Sequence, residues 1–208
     1  MSERRGRKSA VATGRGDDGT TGLLFGGPRI SKDDPRTEAY GAIDEAIAAL
    51  GLARAELAVK AQSGTLPRVI AGLPEVILRV QRELFVVGAE LATAPGATDR
   101  QRPGETRVTA EMVGGLDELL DETEENVTLP REFVVPGETR LSAALELART
   151  IVRRAERRAV AVRRAEPLPN DQLVPYLNRL ADLLWILARA AEQGESRAAT
   201  PSKAAPER

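Results

Sequence analysis

The sequence predicts an all-α fold, a single-domain five-helix up-and-down bundle, and three observations predict it. The composition is 42% hydrophobic and 29% charged with only 3% aromatic residues. That is the composition of a soluble chain built for long helices, and it is short of the aromatics an all-β fold uses. Apolar positions recur at three- and four-residue steps in five separate segments. At 208 residues the chain has the length of one domain with a core of its own.

The elements follow in order. After a Gly-rich opening, TGRGDDGTTGLLFGGPRISKDDPR, the helical pattern begins at about Thr37, and Tyr40, Ile43, Ile47, Leu50 and Leu57 form one apolar stripe. A loop over 63–67 leads to a second helix carrying Leu73, Val76, Val80, Leu84, Val87 and Leu91, with Pro74 marking its start or a kink. Past the loop APGATDRQRPGETR, Thr109 is placed to cap a third helix that carries Met112, Leu116, Leu119 and Leu120. The segment LPREFVVPGETR is punctuated by Pro and Gly and is expected to be non-helical. A fourth helix follows on Leu141, Leu145, Ala148, Val152, Ala155, Ala159 and Val162, and a fifth on Leu173, Leu177, Leu180, Leu184, Leu187 and Ala191. Residues 1–12 and 192–208 are polar and poor in large apolar side chains, and are expected to be mobile tails.

Composition also excludes function classes. With no cysteine and no histidine, the chain has no thiol nucleophile, no Ser-His-Asp triad and no Cys/His zinc site. A formal net charge of −1 and a pI of about 5.8 argue against nucleic acid as a partner. The basic N-terminus lacks an apolar signal core and no run of apolar residues is long enough to span a bilayer, so a cytoplasmic protein without a membrane partner is expected.

Three clusters could carry chemistry. In ARTIVRRAERRAVAVRR, Arg149, Arg153, Glu156, Arg157 and Arg164 fall on one stripe beside the apolar seam, whereas Arg154 and Arg158 point nearly opposite and are expected to be solvated or interface residues. The inner stripe is expected to be partly buried, and it suits either carboxylates of an ion-pair network or a polyphosphate. The strip TGRGDDGTTG contains a literal G-x-G-x-x-G, but no strand precedes it and no helix opens on it, which excludes a Rossmann fingerprint. It could wrap phosphates with backbone N–H groups and the Thr20 and Thr21 hydroxyls, with Lys32 nearby, or it could be a disordered leader. On the fifth helix Asn178, Asp182 and Arg189 flank the seam, and Asp44 does so on the first; each fits a buried polar network.

These blocks in this order, GDDGTTGL with RISKDDPRTEAYGAIDE, ELFVVGAELAT, FVVPG, and LARTIVRRAERRAVAV with YLNRLADLLWILAR, resemble the PduO-type ATP:cob(I)alamin adenosyltransferases, or corrinoid adenosyltransferases. The resemblance implies a cobalamin adenosyltransferase domain over 13–191, with an ATP-binding loop at 13–36, a helix bundle at 37–191, a homotrimer, and ATP held between subunits. It implies that Gly16, Asp17, Gly19, Thr20, Thr21 and Lys32 close over ATP. Arg153, Glu156 and Arg157 would contact the nucleotide from the arginine helix, and Asn178 and Asp182 would complete the site. Asp44 would pair with Arg149 across the subunit interface, and Phe133 would exclude the corrinoid's lower ligand so that cob(II)alamin is reduced more easily.

The implied chemistry is transfer of the 5′-deoxyadenosyl group of ATP to cob(I)alamin, with Mg²⁺ held mainly by ATP phosphates. A flavoprotein reductase and an adenosylcobalamin-dependent enzyme are the implied partners. A noncatalytic trimeric paralogue that delivers or senses the cofactor is the second reading. The chain departs from the family pattern at Gly14, Ala46, Ile47, Glu138 and Glu146, where a basic residue, Leu-Asn, a glycine and a histidine are usual; the two glutamates bring carboxylates toward the expected corrinoid face.

Overall fold

The computed structural model describes residues 11–64, 66–166 and 170–203. Five helices carry the chain: α1 (Pro35–Ser63), α2 (Leu73–Leu91), α3 (Ala110–Glu124), α4 (Arg140–Ala165) and α5 (Leu173–Gly194). Each start has a local cause. The carboxylate of Asp34 accepts from Arg36 N at 2.8 Å, and with Pro35 behind it this cap opens α1 two residues before Thr37. Thr109 caps α3 through Met112 N, and Thr139 with Ser142 forms a reciprocal capping box on α4.

Cross-helix contacts give the directions. Glu56 meets Arg140 at one end of the α1/α4 pair and Glu38 meets Arg158 at the other, so the two are antiparallel. Gln81 of α2 donates to the Ile47 carbonyl at 2.9 Å, and α5 runs against α4 through Glu146–Arg189 and Glu156–Asn178. Helix α3 lies along α5 in the same direction, with Asp117 on Arg179. Successive helices therefore alternate up and down, as the five seams predict. Their packing order in space is different: α1 packs on α2 and α4, and α5 packs on α4 and α3. Seam residues such as Leu145, Val152, Leu177 and Leu184 are at most 1% exposed. Each buried side chain of this kind contributes about 1.5–3 kcal/mol.

At the end where α1 begins, buried Arg36 donates through Nη1 to the carbonyls of Leu91 (2.8 Å) and Thr93 (3.1 Å) and through Nη2 to Glu166 (2.5 Å). Glu90 accepts there from Val108 N at 2.6 Å and from Asn170 Nδ2 at 3.0 Å, and burial raises its carboxyl above its ordinary range. At the opposite end, Thr128 and Gln193 exchange two hydrogen bonds.

Two two-residue antiparallel ribbons complete the fold: β1 (Thr20–Thr21) with β2 (Ile30–Ser31), and β3 (Val134–Val135) with β4 (Thr200–Pro201). The second ribbon corrects the expected tail boundary. Helix α5 continues through buried Glu192 to Gly194, and the following residues return to pair with β3. Residues 1–10 and 204–208 of the expected tails lie outside the described residues. Among the described residues, no helix is long and apolar enough to cross a membrane.

Candidate functional site

The glycine-rich strip folds into a small closed structure. Gly19 takes φ +79°, a left-handed conformation that suits glycine, and its carbonyl accepts from Lys32 N at 2.9 Å. Lys32 Nζ donates to the Gly16 carbonyl at 2.7 Å, close enough that a Cβ at Gly16 would sit 2.9 Å from that nitrogen and the lysine tip would have to shift. Asp18 accepts from Thr20 N (2.9 Å) and Thr20 Oγ1 (2.8 Å), and these bonds lower its carboxyl pKa. Arg29 ties the strip together, donating to Thr20 Oγ1 (2.7 Å), the Thr20 carbonyl (2.8 Å) and the Arg15 carbonyl (2.9 Å). Gly16, Asp17, Gly19, Thr20, Thr21 and Lys32 thus share one hairpin, and Arg29 is the organiser that sequence reasoning missed. The strip docks at the end of α2, where Leu24 N donates to the Ala92 carbonyl at 2.8 Å.

The arginines of α4 divide differently from the expectation. Arg154 and Arg158, expected to be solvated or at an interface, pair within the chain with Glu45 and Glu38 of α1. Arg153, Arg157 and Arg164, expected to be partly buried, are exposed and have no ion pair among the described residues. The physical reason is that α4 is flanked by α1 and by α5 and these three arginines lie outside both contacts, whereas Arg154 and Arg158 stay about half exposed at the edge of α1, as solvated arginines do. Only Arg149 keeps a sheltered place, its Nε donating to Glu146 Oε2 at 2.6 Å. Asp44 is exposed on α1 and has no ion pair among the described residues.

Glu156 and Asn178 do meet, through a 3.4 Å hydrogen bond between α4 and α5. Asn178 also accepts from Arg179, which holds Asp117 of α3 at 2.7 Å. Asp182, one turn on, lines a neighbouring cleft of about 400 Å³ with Asp117, Arg179 and Trp185. Arg189 of the same stripe is 1% exposed and forms ion pairs with Glu146 and Glu192, a buried polar network of the kind expected there, but one separate from Asn178 and Asp182.

Phe133 stands beside β3 and is 88% exposed. It lines a cavity of about 460 Å³ together with Val134, Glu146, Arg149 and Trp185. Its carbonyl accepts from Ser202 N at 2.7 Å, so the returning C-terminal segment braces it. Phe133 precedes the start of α4, whereas the glycine strip docks near the end of that helix. In space Phe133 is level with Glu146 and Arg149, and from Arg149 to Ala165 α4 rises about 24 Å at ~1.5 Å per residue.

Comparison with known proteins gives a consistent set of matches. The cobalamin adenosyltransferase family matches residues 11–191. A corrinoid adenosyltransferase of Citrobacter freundii is 39% identical over 182 residues, 88% of this chain and 94% of that protein. One from Bacillus subtilis is 38% identical, over 85% of this chain and 83% of its own length. Among solved structures, a variant PduO-type ATP:corrinoid adenosyltransferase from Lactobacillus reuteri, complexed with cobalamin and ATP, superposes with a TM-score of 0.78 at 28% identity. That match covers 92% of this chain and 98% of the other.

Proposed function

The chain belongs to the cobalamin adenosyltransferase family, and on that premise we propose that it transfers the 5′-deoxyadenosyl group of ATP to cob(I)alamin. The cobalt(I) electron pair forms the bond to C5′, the C5′–oxygen bond breaks, and triphosphate leaves with its electrons. No protein nucleophile is needed, which suits a chain without cysteine or histidine. The protein's tasks are alignment and stabilisation of the departing charge.

In this reading the hairpin of Gly16, Asp17, Gly19, Thr20, Thr21 and Lys32 covers the nucleotide. Arg153 and Arg157 supply uncommitted guanidinium groups for its phosphates, with Glu156, Asn178 and Asp182 completing the site. Arginine's paired donors match phosphate oxygens. Mg²⁺ arrives with ATP and is held by its phosphates; no group of three acidic side chains among the described residues is placed to hold it alone.

The observation that carries the reading is Phe133, a large apolar residue left 88% exposed beside a cavity that Arg149 and Trp185 also line. A surface like that suits the face of a large planar ligand. There Phe133 would keep the corrinoid's lower ligand off cobalt. The distance between Phe133 and the glycine strip of the same chain supports a site shared between copies. A homotrimer with Asp44 of one subunit on Arg149 of the next is the assembly we propose. A flavoprotein reductase supplying cobalt(I), an adenosylcobalamin-dependent acceptor enzyme and a cytoplasmic location complete the proposal.

The test is an anaerobic assay with chemically reduced cobalamin and ATP, followed by the cobalt(I) to adenosylcobalamin spectral change. ATP binding without that change would remove the catalytic reading in favour of a cofactor-delivering paralogue.

A further inference from the structure

Glu146 occupies the position where the family pattern has histidine. Its side chain is 4% exposed, and its two oxygens serve different cations. Oε2 accepts from Arg149 Nε at 2.6 Å, and Oε1 lies 3.2 Å from Arg189 Nη1. Arg189 in turn donates from Nη2 to Glu192 at 2.8 Å and lies over the Trp185 ring, 5.6 Å from its centre. The result is a row of alternating charge, Arg149, Glu146, Arg189, Glu192, in which the last three are buried. Arg149 is its outermost member and opens on the Phe133 cavity.

An ion-pair network kept only for the fold would not need to end there. The guanidinium geometry makes this row directional. With Nε held by Glu146, the Nη1–Nη2 edge of Arg149 has no partner among the described residues, and that edge is a two-donor face suited to a carboxylate, the group that Asp44 of a neighbouring subunit brings to the rim of the Phe133 cavity in the proposed trimer. Fixing Nε fixes the guanidinium plane, so the ordering of a flexible side chain is completed before any ligand arrives.

We infer that Glu146 is a positioning residue for the corrinoid side of the site, acting through Arg149 and coupled to Trp185 by way of Arg189. The inference rests on the adenosyltransferase reading, which is what places a corrinoid at the Phe133 cavity.

The test uses the full chain and its only tryptophan, Trp185, as the reporter. Glu146→Gln keeps the shape and removes the charge, while buried Arg189 retains Glu192 as its counter-charge, and a melting curve verifies the fold. Titrating cob(II)alamin against Trp185 fluorescence is expected to show affinity weakened about tenfold, the scale of one charge-assisted hydrogen bond, with the KM for ATP unchanged. Glu146→Asp, one methylene too short to reach both arginines, is expected to weaken corrinoid binding less. Wild-type corrinoid affinity in Glu146→Gln, or equal loss for corrinoid and ATP, overturns the inference. Should Glu146→Gln prove unfolded, Glu146→Asp decides: weakened corrinoid binding supports the role and wild-type binding overturns it. Because the titration needs no turnover, an inactive wild-type protein would refute the enzymatic reading separately.

Discussion

Arg29 gives a direct measure of what the closed glycine strip contributes. Its guanidinium makes three hydrogen bonds, at 2.7, 2.8 and 2.9 Å, to Thr20 Oγ1 and to the carbonyls of Thr20 and Arg15. All three are exposed, which places each near the low end of the usual range, at about 0.5–1 kcal/mol. Together they hold the strip in one conformation by roughly 1.5–3 kcal/mol. Arg29→Ala removes them, and ATP must then order the strip itself. If the strip covers the nucleotide, the KM for ATP rises roughly 10- to 150-fold. The corrinoid affinity and the melting temperature stay close to wild type, because Arg29 touches neither the Phe133 cavity nor the core. Steady-state kinetics with varied ATP at saturating cob(I)alamin measure the effect. An ATP KM within a factor of about two of wild type would show that the strip's order is irrelevant to the nucleotide. Arg29→Lys, with no fork to reach three acceptors, should recover only part of the loss.

Three other perturbations separate the remaining roles. Phe133→Ala should lose turnover from cob(II)alamin by at least roughly tenfold while keeping most of it with prereduced cob(I)alamin; equal losses in both assays would remove Phe133 from the reduction step. Arg153→Lys keeps the charge but not the paired donors, so the KM for ATP should rise about tenfold with an unchanged sedimentation profile, and a change of oligomeric state would make Arg153 structural instead. Glu90→Gln tests burial. The folded protein holds the Glu90 proton more tightly than the unfolded chain, so wild-type stability falls as pH rises from the ordinary glutamate value of about 4.5 through the raised folded value. The glutamine keeps an acceptor for Val108 N and Asn170, so melting temperatures of the two proteins should converge in acid and diverge toward neutral pH in the variant's favour. Parallel curves would refute that account.

The helices were legible in the sequence because seam residues such as Leu145, Val152, Leu177 and Leu184 repeat at helical spacing, and the core is built on that repeat. Periodicity also separated the arginines of α4 into two groups, but it gives angles only about that helix's own axis. It could not say that α1 would stand beside Arg154 and Arg158 and offer Glu45 and Glu38. Arg29 was hidden for a different reason. It is a lone arginine in a Gly/Pro-rich stretch, and its partners are nine and fourteen residues away across a hairpin with no apolar alternation to announce it. The β3–β4 ribbon was illegible because a two-residue strand has no period. The depth of Arg189 depends on Glu146 lying opposite, a pairing that helix-wheel geometry leaves open.

The second strand of the Phe133 ribbon is encoded after all five helices. During synthesis the bundle's helices therefore emerge before β4 does, and the ribbon is among the last parts of the fold to close. A late premature stop codon would leave a chain with its core segments complete and its Phe133 segment unbraced. The same order gives practical advice for making the protein: a purification tag placed after residue 203 hangs from the strand that braces Phe133, whereas one at the N-terminus does not.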